Sequence, residues 1–189
     1  FLEKYKMNNI LQSNKSMEWD EYINSMQENK SDFKKITNNV LENKKLNKLI
    51  LNLSKKLENS EILILTEDFC PDSMFNIPIF IAISELINNV KLKIYRRSEN
   101  EKLTDHFMSK NLDRIPAVFI LINGVIKYKW QEKPQKAYKI QTNIIEQINK
   151  LSNLSKKEMK LHYYELSEIE YEKKLWVETI NEIQNLKEL

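Results

Sequence analysis

The sequence predicts an α/β fold: a mixed four-stranded sheet flanked by helices, with extra helices at both ends. Two observations carry that prediction. Apolar, β-rich runs alternate with segments of helical spacing, and two of those runs are joined by Asn123-Gly124, the pair that a tight hairpin turn favours. A third observation concerns organisation. The 189 residues contain no repeat, no Pro- or Ser-rich linker and one glycine, so a single domain is expected. It divides into N-terminal helices over 1–58, a core over 59–151 and a C-terminal amphipathic helix over 152–189.

Each element follows from local pattern. Trp19, Tyr22, Ile23 and Met26, then Leu46, Leu49, Ile50, Leu53 and Leu57, recur at helical spacing and predict two amphipathic helices. Ile62-Leu63-Ile64-Leu65 is an unbroken apolar run after Asn59-Ser60, as a strand buried on both faces requires. Pro71 needs no backbone N–H in a first helical turn, so it opens the next helix, which runs to about Asn88 with a kink at Pro78. A second strand is expected at Leu92–Tyr95, parallel to the first by the right-handed crossover rule, and a polar-faced helix from Glu101 to Lys110. The runs Ala117–Ile122 and Val125–Trp130 form the hairpin, because a type I′ turn needs positive φ at both central positions. A helix from Gln135 to Leu151 presents Tyr138, Ile144, Ile145 and Ile148. Finally, Lys156 to Leu189 carries Leu166, Ile169, Trp176, Ile180 and Ile183 on one stripe of a long helix. That stripe needs cover, either on this domain or on a second copy as a homodimer through the terminal helices.

Composition narrows the function. Hydrophobic residues make up 41% of the chain, enough for a sizeable core, and the 30% of charged residues nearly cancel to +3. The charges alternate along helices and form no basic stripe, which argues against a nucleic-acid partner. No apolar run approaches the ~20 residues needed to span a bilayer, and Phe1-Leu2-Glu3-Lys4-Tyr5 lacks a signal-peptide core. No membrane partner is therefore expected. One cysteine forms no internal disulfide, so a reducing cytoplasm is the expected location.

That cysteine, Cys70, stands where a strand ends and a helix begins, and backbone N–H groups there favour an anion. A thiolate would be stabilised, with its pKa below the ~8.5 of a free cysteine. A lone cysteine is often a small core residue instead. The polar approach Glu67-Asp68 and the following Pro71-Asp72-Ser73 set this one at the sheet edge, outside the apolar run.

These residues resemble the thioredoxin superfamily over about Glu61 to Lys150. That superfamily carries Cys-X-X-Cys, often varied to Cys-X-X-Ser, and here the motif reads Cys70-Pro71-Asp72-Ser73. Pro78 has the offset of the helix-kinking proline of thioredoxins. Ile115-Pro116 matches the cis-proline that precedes the third core strand and faces the cysteine, and the Asn-Gly hairpin follows in order. The opening Thr66-Glu67-Asp68-Phe69-Cys70, with Arg96-Arg97-Ser98-Glu99-Asn100 and Trp130-Gln131-Glu132-Lys133-Pro134, resembles most a bacterial subgroup of thioredoxin-like proteins.

The resemblance implies a thioredoxin-like fold and a monothiol thiol–disulfide oxidoreductase. Cys70, Ser73 and Pro116 are its catalytic set, and Phe69, Pro71, Asp72, Ile115 and Trp130 line its substrate groove. With serine in place of the resolving cysteine, no dithiol cycle runs inside the molecule, and an external low-molecular-weight thiol must complete each exchange. That thiol is a co-substrate, and no bound cofactor is expected; protein or small-thiol disulfides are the expected partners. The buried aspartate of thioredoxins, six residues before the cysteine, is here Ile64. Asp72 and Glu67 are the nearest carboxylates, and they would also oppose a thiolate.

Several roles stay open on sequence alone. Ser73 either donates to the Cys70 sulfur or is a tolerated first-turn residue. Phe69 and Trp130 either flank the groove or cap the core. Arg96 and Arg97 either bind the carboxylates of an anionic thiol or end a strand in solvent. His106 and His162 lie on separate predicted helices without partners at metal spacing, so no metal site is expected. The second function, from a different class, is a non-catalytic binding module that uses the groove beside Pro116 or the terminal helices.

Overall fold

A computed structural model describes residues 2–189, with side chains from Met7 onward. Phe1 of the opening stretch lies outside the described residues.

The N-terminal region holds more helix than the sequence pattern alone predicts. The helices are α1 (Leu2–Gln12), α2 (Trp19–Ser25), α3 (Lys30–Glu42), α4 (Lys44–Leu51) and α5 (Ser54–Leu57). The unpredicted α3 buries Phe33, Ile36, Thr37 and Val40, a regular helical stripe. A cap separates it from α4: the Asn43 side chain accepts from the backbone of Lys45 and Leu46.

The sheet follows. β1 (Ser60–Thr66), β2 (Lys91–Arg96), β3 (Ala117–Ile122) and β4 (Val125–Gln131) lie in the order β2-β1-β3-β4. β1 runs parallel to β2, with Ile64 opposite Ile94, and antiparallel to β3, with Ile62 opposite Ile120. β3 and β4 form the predicted hairpin, turned by Asn123 at φ 53° and Gly124 at φ 75°. Outside the strands, Met17 and Ile94 exchange both backbone hydrogen bonds along β2, and Leu189 N–H donates to Lys127 O on β4.

Helix α6 (Pro71–Leu86) joins β1 to β2, and every residue from Ser73 to Ile83 is buried. A helix apolar on all sides must be covered on all sides. The sheet covers one side through Ile62, Ile64, Val118 and Ile120, while α3, α4 and the C-terminal helices cover the other. The opposite sheet face carries Leu63, Leu65, Phe119 and Leu121, packed against Leu103 and Phe107 of α7 (Glu101–Ser109) and Met7 of α1. Period-two alternation therefore divides β1 between two hydrophobic layers.

Beyond α8 (Gln135–Asn149), the predicted long helix is interrupted. It runs as α9 (Lys156–Glu170), a π-helical turn over Tyr171–Leu175, and α10 (Trp176–Asn185). Ser155 and Glu158 form a capping box at its start. A π turn holds an extra residue, which rotates the following helix relative to the preceding one. The stripe is broken accordingly: Trp176, Ile180 and Ile183 are buried, whereas Ile169 is 56% exposed. The buried part packs within this chain, with Trp176 Nε1 donating to Phe75 O at 2.9 Å. Among the described residues no helix is long and apolar enough to cross a membrane.

Candidate functional site

β1 ends at Thr66, and the turn that follows delivers Cys70 to the N-cap of α6, with Pro71 in the first helical position. The Cys70 carbonyl accepts from Met74 N–H at 3.1 Å. Its sulfur donates to Ile115 O at 3.5 Å, across 45 residues of sequence, and Ile115–Pro116 is a cis peptide. Helix start and proline loop thus meet at the thiol.

The protonation of that thiol departs from expectation. Cys70 is only 8% exposed, and this burial pushes its pKa up; hydrogen bonds from the Ser73 side chain and backbone oppose the rise, and the Asp72 charge adds to it. The helix terminus favours an anion, but desolvating sulfur costs the anion more. A thiol that donates to a carbonyl is also held in its neutral form.

Ser73 is fully buried behind the sulfur, where its hydroxyl accepts from Thr66 Oγ1 at 2.7 Å. That bond ties the first turn of α6 to the end of β1. Thr66 was not singled out by sequence. Its signal was alternation: Ile62, Ile64 and Thr66 share the face toward α6, and a polar residue among apolar neighbours there needs a polar partner.

The acidic turn before the cysteine is fastened from the other side. Arg96 Nη1 lies 3.8 Å from Glu67 and 3.4 Å from Asp68, with all three residues buried. Glu67 also accepts from Ser98 N–H at 2.7 Å, and Asp68 from Gln27 N–H at 2.8 Å. Arg96 is therefore an internal counter-ion and neither an anion site nor a solvated end. Asp72 turns to other partners, Lys133 Nζ at 3.2 Å and Gln141 Nε2 at 3.0 Å. Its carboxyl is pushed up by burial, against the pull of Lys133 and Gln141.

Phe69, next to Cys70 in sequence, and Ile115, whose carbonyl meets the sulfur, help to line a groove of about 770 Å³ with Glu67, Arg97, Ser98 and Thr104; Cys70 itself is not part of the lining. Phe69 stands 54% exposed at its rim and Ile115 is half-buried. Trp130 is a core residue instead: its ring packs against Phe80 at 5.4 Å, and its Nε1 donates to Glu182 at 3.0 Å. Hairpin alternation turns it to the α6 face, beside Val118 in register. Among the described residues no three of His, Cys, Asp and Glu converge as metal ligands. A single thiol that enters a mixed disulfide has no second cysteine in this chain to release it.

Three comparisons bear on this arrangement. A sequence model for the family described as thioredoxin matches residues 16–145. Among solved structures, a protein of unknown function from Pseudomonas aeruginosa is similar at 14% identity and a TM-score of 0.57, covering 86% of this chain and 96% of that one. The crystal structure of an HIV epitope scaffold is similar at 13% identity and a TM-score of 0.57, covering 93% of each chain. At these identities the likeness is one of fold. No curated protein sequence matches the chain.

Proposed function

The chain belongs to the thioredoxin family, and from that premise we propose that it is a monothiol thiol–disulfide exchange protein acting through Cys70. The observation that carries this reading is the 3.5 Å contact of the sulfur with the carbonyl of Ile115, a residue that lines the groove. In the proposed exchange the Cys70 thiolate attacks the small-thiol sulfur of a protein mixed disulfide. The new S–S bond forms as the old one breaks, and the protein sulfur leaves as thiolate and takes a proton. A second small thiol, ionised, then attacks the sulfur of the adduct, forming a symmetric disulfide and returning Cys70 to the thiol. Phe69 and Ile115 are the proposed apolar contacts for the bound segment, and Ser73 the donor to the sulfur while it is ionised.

Incubation of the protein with a peptide–glutathione mixed disulfide and excess reduced glutathione tests the exchange. The expected outcome is peptide thiol release faster than the glutathione background, lost in Cys70→Ser. A rate equal to background sinks the reading. The upward-shifted, largely buried thiol favours the second reading, a binding module in which Cys70 is structural. In that case Cys70→Ser binds the reduced peptide as tightly as the unaltered protein does.

A further inference from the structure

The exchange chemistry leaves Glu132 and Lys133 without a role, yet they touch both halves of the Cys70 site. Glu132, just after β4, has φ 62°, a left-handed conformation that crowds a residue bearing a Cβ. Contacts on three sides hold it there. Its N–H donates to Pro116 O at 2.7 Å. Its carboxylate accepts from Arg114 Nη1 at 2.8 Å and Tyr138 Oη at 2.6 Å, and lies 3.2 Å from Lys133 Nζ. Burial alone would push this carboxyl up, but those three partners together hold it below the usual range.

The Lys133 ammonium also reaches Asp72 Oδ2 at 3.2 Å, and it sits over the Tyr138 ring, 4.8 Å from the centroid. Both partners of this pair are largely shielded, so little water screens the charges and each responds strongly to the other. Asp72 stands two residues from Cys70 in the first turn of α6. The titratable and charged groups facing Asp72 from other elements are Lys133 and Glu132 after β4, Tyr138 on α8 and, from the C-terminal helices, Tyr163 and Tyr171. Burial and the Asp72 charge hold the last two phenols neutral far into the alkaline range. Lys133 is therefore the cation set against Asp72.

We propose that Lys133 is a positioning residue for Cys70: its ammonium, shared between Asp72 and Glu132, clamps the first turn of α6 to the Pro116 loop and offsets the carboxylate beside the sulfur. The proposal deepens the exchange reading and rests on it for its use in turnover, but the clamp can be read on the thiol itself.

The single cysteine makes that measurement direct, since full-length protein labelled at the cysteine Cβ with carbon-13 gives one resonance whose shift against pH follows thiol ionisation. In Lys133→Met the ionisation midpoint is expected to rise, because Asp72 keeps its charge in alkaline solution and loses its counter-ion. Iodoacetamide labelling at about pH 8 should slow roughly threefold. Lys133→Arg restores the original midpoint. Lys133→Gln keeps a hydrogen-bond donor without the charge; it should behave as Lys133→Met and serves should the methionine variant not fold. Asp72→Asn lowers the midpoint, and adding Lys133→Met to it produces no further movement. An unmoved midpoint in the neutral variants, or equal movement with Asp72→Asn present, overturns the proposal. Failure of glutathione exchange with these shifts intact removes the exchange reading alone, whereas active exchange with no shifts removes the clamp alone.

Discussion

Cys70 sits between opposing influences: burial and the Asp72 charge favour the thiol, while the first turn of α6 and Ser73 favour the thiolate. Removing one favourable donor should therefore be visible. Ser73→Ala is expected to slow iodoacetamide labelling roughly fivefold at about pH 8, the equivalent of one hydrogen bond of about 1 kcal/mol. Unchanged labelling would mean that Ser73 only fills space. The same thiol makes stability depend on pH. A group whose pKa is higher folded than unfolded adds stability below its unfolded value, about 8.5 for a thiol, and that contribution is lost as pH rises through the folded value. Urea midpoints should thus fall as pH rises beyond about 8.5, and Cys70→Ala should flatten part of that decline. Equal declines in both proteins would show that burial does not perturb the thiol. At this scale the sequence revealed the partners, Cys70 and Ile115-Pro116, but gave the wrong direction for the pKa. A helix start is legible from neighbouring residues, whereas desolvation depends on what the rest of the chain lays over the sulfur.

The elements divide along the same line. The hairpin at Asn123-Gly124, the strands and α6 were legible because each is written in a short run of residues. Helix α3 was not predicted: its buried stripe of Phe33, Ile36 and Val40 is short and set among the polar residues Lys34, Lys35, Asn38 and Asn39. The π turn over Tyr171–Leu175 was not legible, since its cause is tertiary. It turns Tyr171 inward, where the phenol stacks on Phe75 at 4.7 Å and accepts from Asn76 Nδ2 at 2.9 Å. One residue beyond the turn, Trp176 is buried and bonded to the Phe75 carbonyl. Trp176→Ala is expected to lower unfolding free energy by about 3–5 kcal/mol, the usual cost of emptying a large aromatic site. Chemical denaturation measures it, and a loss below about 1 kcal/mol would mean that α10 does not anchor the fold.

Across the whole molecule, one hydrophobic layer runs from Met17 through α3, α4 and α6 to Ile183, so the terminal helices and the sheet share a core. Unfolding is expected to be a single transition, with tryptophan fluorescence and far-ultraviolet circular dichroism coinciding. Separate midpoints would show that the helical additions melt independently. The two outer strands of the sheet meet that core differently, because a strand with a free side is a template for pairing with another molecule. Here Met17 bridges β2 at Ile94, and β4 accepts a hydrogen bond from Leu189 at Lys127. Residues from opposite ends of the described chain therefore work as selvedges, finishing the fabric of the sheet so that it does not fray into its neighbours in a crowded solution.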